Sequence, residues 1–558
     1  MRGLRKTGMK KIVQEQERGL CGDFWLFGGL LCILLVSILG RDMGRPFTGL
    51  HSWGEASGAW AARAHVKYGL GYTKGASTWA VGDPPSQNPS RYYDHPQLSV
   101  LTLALFMSIF GVSEWSYRLL NCMTSVLAAM LLLKIFRGLL SDKAALLAVL
   151  IYVLFPVTGY FGSGCWTALM VFTAFWCYLV LIKSLRDGPE PGPIHKWGLA
   201  ASLFLALQFN WEGFFYAMAI GVHYVVRCIR RKTFPQKTLL AILIVAPLSS
   251  LALNFLVMAA GYGWDFSKIT ALYSWRAGKG EMAEFDWGKW FARFWEFAGM
   301  NFTVPVLIIA IAYLTFGQLY SLTGAASRKD SQDQSRDRKG AAIKADGRFP
   351  QFWLFFLPGF FQLSLLKGAL WMHHYWERCF SPLLAIAAAL GIMTLAGILD
   401  RVRPIVSKIC TAALVGIITV ACIGGIDHYY GIRHFSPERV KLFKTLSERI
   451  PPDKMLLSYQ SQKVEQHEAK GEHYRPEIAW YLDREVVVAT TWAEIQQKAQ
   501  TGMFPYYLVP AVQQVAPLIQ QLQQRYKFES VPADPGGPEL APMLPHLIFD
   551  LQSKSPGS

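Results

Sequence analysis

The sequence predicts a polytopic α-helical membrane protein of about eleven transmembrane helices plus one re-entrant or juxtamembrane helix, ending in a small extracytoplasmic α/β domain. Three observations carry that class. Apolar residues make up 52% of the chain and charged ones only 17%, against roughly a quarter in soluble domains. Stretches such as 239–260, 302–319 and 383–399 hold no charge at all and suit a hydrocarbon core about 30 Å thick. Basic residues recur on every second connection, as at Lys134, Arg137 and Lys143 and again at Arg227, Arg230, Arg231 and Lys232, the pattern that orients membrane proteins.

The elements follow in order. Residues 1–23 form a basic tail without a small-residue cleavage site, which predicts a cytoplasmic N-terminus and a retained anchor rather than a signal peptide. The transmembrane region, 24–426, has spans near 24–40, 115–137, 143–160, 165–184, 196–211, 213–228, 238–261, 297–319, 351–369, 379–399 and 405–425. The apolar run 98–112 is short for a span. If it does not cross, the connections 134–143, 183–196, 227–237, 328–348 and 401–408, all rich in Lys or Arg, face the cytoplasm. That places 98–112 in the outer leaflet, at the end of an outer loop (41–112) carrying juxtamembrane helices. The polar, aromatic-free segment within 322–349 reads as a flexible cytoplasmic loop. In 427–558 short apolar runs (455–458, 486–489, 506–509, 547–549) alternate with helix-like stretches (476–482, 492–500, 513–526), which predicts βαβ units and a small parallel sheet outside the membrane.

The net charge of +17 sits mostly beside the spans, so it reads as an orientation signal facing membrane lipids and not as a nucleic-acid surface. The nine cysteines lie in or beside apolar runs with no metal-type spacing, which excludes a zinc or disulfide framework. No cofactor is expected. The adjacent His373 and His374 are a weak signal for a divalent metal, because they do not share one helix face.

Polar residues gather on the outer face. The first loop holds His51 and Glu55, and then Asp94 and His95 in Arg-Tyr-Tyr-Asp-His-Pro-Gln. A helix over 55–68 would stack Trp60, Ala64 and Tyr68 on one face and put Glu55 in its first turn, with Asp94-His95 opening the next helix. Such acids can serve as general bases, although a helix dipole alone favours carboxylates there. Arg118, Asn210, Glu212, Arg276, Lys279, His373, His374, Glu377 and Arg378 fall at the same level. Ionisable groups at membrane depth serve function or pair with one another, and Glu377 with Arg378, or Glu212 with Arg118, are the structural pairings the sequence suggests.

These residues resemble those of the GT-C type glycosyltransferases of family 39, which include protein O-mannosyltransferases and the aminoarabinose transferase of lipid A. The similar features are Trp60-Ala-Ala-Arg63, Tyr93-Asp94-His95-Pro96 before an apolar helix, Phe110-Gly-Val-Ser-Glu-Trp-Ser-Tyr-Arg118, Pro156-Val-Thr-Gly-Tyr-Phe-Gly162 and His373-His374-Tyr375-Trp376. The resemblance implies transfer of a sugar from a polyprenyl-phosphate donor to a lipid, glycan or protein acceptor outside the cytoplasmic membrane, with an acidic first-loop residue activating the acceptor. Laid on Ala62-Arg63, the family's acidic pair falls on Gly54-Glu55, and a variant subgroup's aspartate falls on Ser52. An arginine and an acid that often follow the third span are replaced by 163–168. Asp94 is therefore the first candidate base and Glu55 the second. His51, His95, Arg118, Asn210, Glu212, Arg276, Lys279, His373, His374, Glu377 and Arg378 are candidates for binding substrate or phosphate, the cations among them stabilising a departing phosphate. The alternatives are a catalytically degenerate scaffold of the same type and a transporter, which would need mid-span charges or paired broken helices.

Overall fold

The computed structural model describes residues 26–85, 87, 89, 91–162, 165–187, 192–276, 286–317, 349–370, 373–459, 476–532 and 545–554. The expected basic tail 1–23, the cytoplasmic linker up to residue 348, and Lys279 lie outside the described residues.

Apolar helices dominate the sequence of elements. Among the described residues five are long and apolar enough to cross a membrane: Glu114–Leu139, Trp166–Leu185, Lys237–Gly261, His374–Asp400 and Pro404–Gly431. A sixth crossing arises if the bent pair Trp287–Phe302 and Val304–Phe316 is one span. Shorter apolar helices run Leu26–Gly40, Leu98–Phe110 and Phe352–Leu365. The helices Pro193–Phe209 and Glu212–Arg231 stand where two further spans are expected.

Two expected spans are not straight. The one near 143–160 is broken into Asp142–Leu154 and Pro156–Phe161. Pro156 lacks an N–H and disfavours helical backbone at Phe155, whose ψ is 133°. The one near 297–319 turns through 104° at Thr303, where φ is 65° and Pro305 follows within the next turn. A positive φ on a β-branched residue is a strained position.

The chain divides into two compact units: Met1–Arg41, Asn121–Val257 and Asp265–Asp427 in one, and Asp42–Leu120, Met258–Trp264 and His428–Ser558 in the other. In the first unit the helix Ser381–Asp400 packs against Asp142–Leu154 and Val304–Ala312. Its alanines at 385, 387, 388 and 389 are almost wholly buried. Small side chains allow this close approach of helix backbones.

The second unit joins the segment Asp42–Leu120 to the tail. The helix Ser52–Thr73 buries Trp60, Ala61 and Ala64 and packs on the short helices Leu98–Phe110 and Pro476–Leu482. The 13 residues of Leu98–Phe110 rise only about 20 Å, too little to cross. Leu105 and Ile109 on it are 64% and 68% exposed. The tail forms a five-stranded sheet in the order Val486–Val488, Leu456–Ser458, Tyr506–Pro510, His546–Lys554, Tyr526–Val531. The first three strands are parallel and His546–Lys554 runs antiparallel to both of its neighbours, so the sheet is mixed and not wholly parallel as expected. Tyr526–Val531 follows the helix Ala516–Arg525 directly. No crossover helix separates the two final strands among the described residues, and a parallel pair would need one.

Candidate functional site

Asp94 sits at a bend in the approach to the Leu98–Phe110 helix, four residues before it begins, and not at the start of that helix as expected. Gln97 terminates the approach by donating its side-chain amide to the carbonyls of Tyr92 and His95. The Asp94 carboxylate accepts a hydrogen bond from the Tyr262 hydroxyl. Burial first, and then Asp94 itself, push the Tyr262 phenol up, so Tyr262 remains a donor at all ordinary pH. Gly261 is required beside it, because a Cβ there would lie 2.5 Å from the Tyr93 ring. The result is a half-buried carboxylate oriented by a phenol, with the exposed His95 next to it. That arrangement suits a general base.

Glu55 does lie in the first turn of Ser52–Thr73. Its Oε2 accepts from Arg118 at 3.0 Å. The same guanidinium also donates to the carbonyls of Asp42, Met43, Arg45 and Pro46. Arg118 is therefore spent on ordering the segment that leads into the helix. The suggested pairing of Arg118 with Glu212 does not form: Glu212 pairs with Arg378, Nη2 to Oε1 at 2.7 Å. The suggested Glu377–Arg378 pair is absent as well. Adjacent residues in the 3-10 turn His374–Phe380 point their side chains apart. Glu377, fully buried, instead accepts from the Asn301 amide at 3.2 Å.

Other predicted residues take supporting parts. The backbone N–H of His51 donates to His434 Nδ1 at 2.8 Å, and its own ring accepts from Trp53. Asn210 closes the turn between two helices by accepting from the Glu212 N–H at 3.3 Å. The His373 ring stacks near Trp376, while His374 lies against Phe161 and Phe297, so the pair does not converge. Among the described residues no group of three His, Cys, Asp or Glu side chains is placed to hold a metal ion. Arg276 ends the helix Phe266–Arg276, and its side chain lies outside the described atoms.

The first unit contains a small cleft of about 20 Å³, lined by Glu212, Arg378, Tyr216, Ser381 and Thr158 among others. Gly162 is on its wall with φ 70°, and a Cβ there would come within 2.5 Å of Ser125 Oγ and 2.6 Å of Asn121. The sequence pattern pointed to Glu212 and Arg378 but missed Tyr216, Ser381, Tyr262 and Asn301. Asn301, a buried amide in an apolar run, is the one that carried a readable signal.

Comparison with known proteins agrees with this architecture. Residues 94–251 match the family described as dolichyl-phosphate-mannose-protein mannosyltransferase. ArnT from Cupriavidus metallidurans, solved bound to undecaprenyl phosphate, superposes with a TM-score of 0.53 at 11% identity, covering 95% of this chain and 98% of that one. Its apo form gives 0.52 at 12% identity with the same coverage. The apo oligosaccharyltransferase of Archaeoglobus fulgidus gives 0.51 at 12% identity, over 90% of this chain and 73% of that one. The curated proteins offer no match. At these identities the structural likeness is one of fold: this chain shares the fold of ArnT and of the archaeal oligosaccharyltransferase.

Proposed function

We propose that the protein is a membrane glycosyltransferase that moves a sugar from a polyprenyl phosphate to an acceptor hydroxyl or amine on the outer face of the cytoplasmic membrane. The observation that carries this reading is the mannosyltransferase-family match over 94–251, on a chain whose fold parallels ArnT almost from end to end. The undecaprenyl phosphate named with ArnT supports a lipid-phosphate leaving group here. Eleven spans, a cytoplasmic N-terminus and an outer tail complete the reading, supported by the alternating basic loops.

In this mechanism the Asp94 carboxylate takes the acceptor proton as the acceptor atom attacks the anomeric carbon. The bond from that carbon to the phosphate oxygen breaks, and the polyprenyl phosphate leaves with the electron pair. Tyr262 holds Asp94 in place through its hydroxyl. No cofactor enters the scheme. The acceptor class, whether lipid, glycan or protein, is decided by what diffuses to this face.

Glu55 is the weaker base because its carboxylate is committed to Arg118. That commitment is also what a degenerate scaffold would retain, and it is the observation favouring that second reading. Separate Asp94→Asn and Glu55→Gln variants decide the matter by turnover of a polyprenyl-phosphate sugar in vesicles. Asp94→Asn is expected to lower kcat by about 10²–10⁴ and Glu55→Gln much less. Unchanged turnover in Asp94→Asn would remove Asp94 as the base, and a wild-type protein that turns over no donor would leave the scaffold.

A further inference from the structure

The helix Trp287–Phe302 has three kinds of surface, and their order around its axis says what lies beside it. Asp286 starts the helix by accepting from the backbone N–H groups of Gly288 and Lys289, as an N-cap does. Trp290, Phe297 and Asn301 are buried. Trp290 and Phe297 form a small core with Leu363, and Trp290 Nε1 donates to the Lys367 carbonyl at 2.9 Å. The Asn301 amide donates to the His374 carbonyl and to Glu377. This side of the helix belongs to the protein.

The remaining surface is divided in two. Trp287, Phe291 and Trp295 stand four residues apart on one edge, each just over half exposed. Lys289 and Arg293 follow Trp287 and Phe291 by two residues, about 200° of helical rotation, so they stand on the opposite edge. There Glu296 pairs with Arg293 at 3.0 Å. Three large rings side by side are costly to leave in water, and three charges are costly to place in hydrocarbon. Rings on one edge and charges on the other fit a helix lying along the boundary between lipid and water, the level at which tryptophan is enriched.

The bend gives an independent reason. At Thr303 the chain turns through 104° into Val304–Phe316, which carries no charged residue and exposes Val304 and Ile308. An apolar helix of that kind enters hydrocarbon, and membrane-crossing helices tilt on average about 20° from the bilayer normal. A helix at nearly a right angle to it therefore runs close to the membrane plane.

We infer that Trp287–Phe302 is a membrane-surface helix. It sinks the Trp287, Phe291 and Trp295 edge among phospholipid headgroups and upper acyl chains, and it keeps Lys289, Arg293 and Glu296 in water. The crossing expected over 297–319 then begins only after Thr303. The inference holds whatever reaction the protein catalyses.

The test uses the full chain in phosphatidylcholine nanodiscs, with bimane attached at one introduced cysteine at a time. Phe291→Cys and Trp295→Cys report on one edge, Lys289→Cys and Glu296→Cys on the other. The wild-type chain, with nine cysteines of its own, is labelled in parallel to set the background. Quenching by phosphatidylcholine brominated on its acyl chains is expected to be severalfold stronger at 291 and 295 than at 289 and 296. Quenching by aqueous iodide is expected to show the reverse order. Strong lipid quenching at all four positions would make the helix half of a bent span, and strong iodide quenching at all four would place it in water. Either result overturns the inference. Protection of 291 and 295 from both quenchers also overturns it, because a protein surface such as a second copy would then cover that edge. Melting temperatures identify variants that fail to fold, and with two positions on each edge one folded variant per edge suffices.

Discussion

Two arginine–carboxylate pairs of nearly equal length do different work in this molecule. In the second unit Arg118 and Glu55 meet at 3.0 Å, and the arginine is further bonded to the carbonyls at 42, 43, 45 and 46. In the first unit Arg378 and Glu212 meet at 2.7 Å, with no other hydrogen-bond partner for the guanidinium among the described residues, and both line a cleft. The lesson is that an ion pair is not a role. Arg118 acts as a strut, because both of its terminal nitrogens are committed to the fold. Arg378, held by its carboxylate, keeps donors to spare among the described residues.

The largest expected effect separates the two directly. Arg118→Met strands Glu55, whose side chain is only 22% exposed, and leaves several carbonyls without a donor. The loss is expected to be about 3 kcal/mol or more, read as a fall in the melting temperature in detergent. Arg378→Lys keeps a charge against Glu212 and is expected to lower stability far less. If Arg118→Met melts like the wild type, or if Arg378→Lys unfolds the protein, the comparison is broken.

A smaller effect tests whether the strut belongs to a larger brace inside the second unit. Ser52, at the start of the helix that carries Glu55, donates to Glu477 of the tail at 2.7 Å, with both residues buried. Further along, Arg63 donates to the carbonyls of Ala479 and Trp480, and Lys67 meets Asp483 at 2.8 Å. Glu477→Ala removes the acceptor of Ser52 and is expected to cost about 2 kcal/mol. Coincident loss of helix and tail signals in thermal melts would show the brace acting as one. Two separate transitions would show that it does not.

The smallest effect is in pH. His65 is buried in the same helix, with Nδ1 at 2.7 Å from the Thr73 hydroxyl, and burial holds its pKa below the ordinary imidazole value. The unfolded chain therefore binds a proton more readily than the folded one. Its contribution to stability is complete above about pH 6.5 and declines as the pH falls through that value towards the lower folded pKa. His65→Gln is expected to flatten melting temperature against pH between 7 and 5, on the order of that window. A wild-type curve already flat there would refute the point.

How much of this was legible in advance differs by region. The apolar helices and the short helix at Leu98–Phe110 were readable because compatibility with hydrocarbon is a property of composition and length. Glu55, Asp94, Glu212 and Arg378 could be singled out as notable polar residues too, because charges are few along this chain. The partners were not. Glu212 and Arg378 are 166 positions apart and Arg118 and Glu55 are 63 apart, and each carboxylate could have met either arginine by type. Tyr262 gave no sign that it would find Asp94, 168 positions away.

The sequence by itself determined a membrane protein of long apolar helices and the residues with enough charge to matter, because local hydrophobicity decides where a segment resides. Only the tertiary structure decided which arginine each carboxylate meets, where the helices bend at Phe155 and Thr303, and that Ser381 faces a cleft with its hydroxyl unpaired. The physical reason is range. Burial in lipid is settled within about twenty residues of sequence, whereas a hydrogen bond forms only between atoms about 3 Å apart, and the chain reaches that proximity only after it has folded.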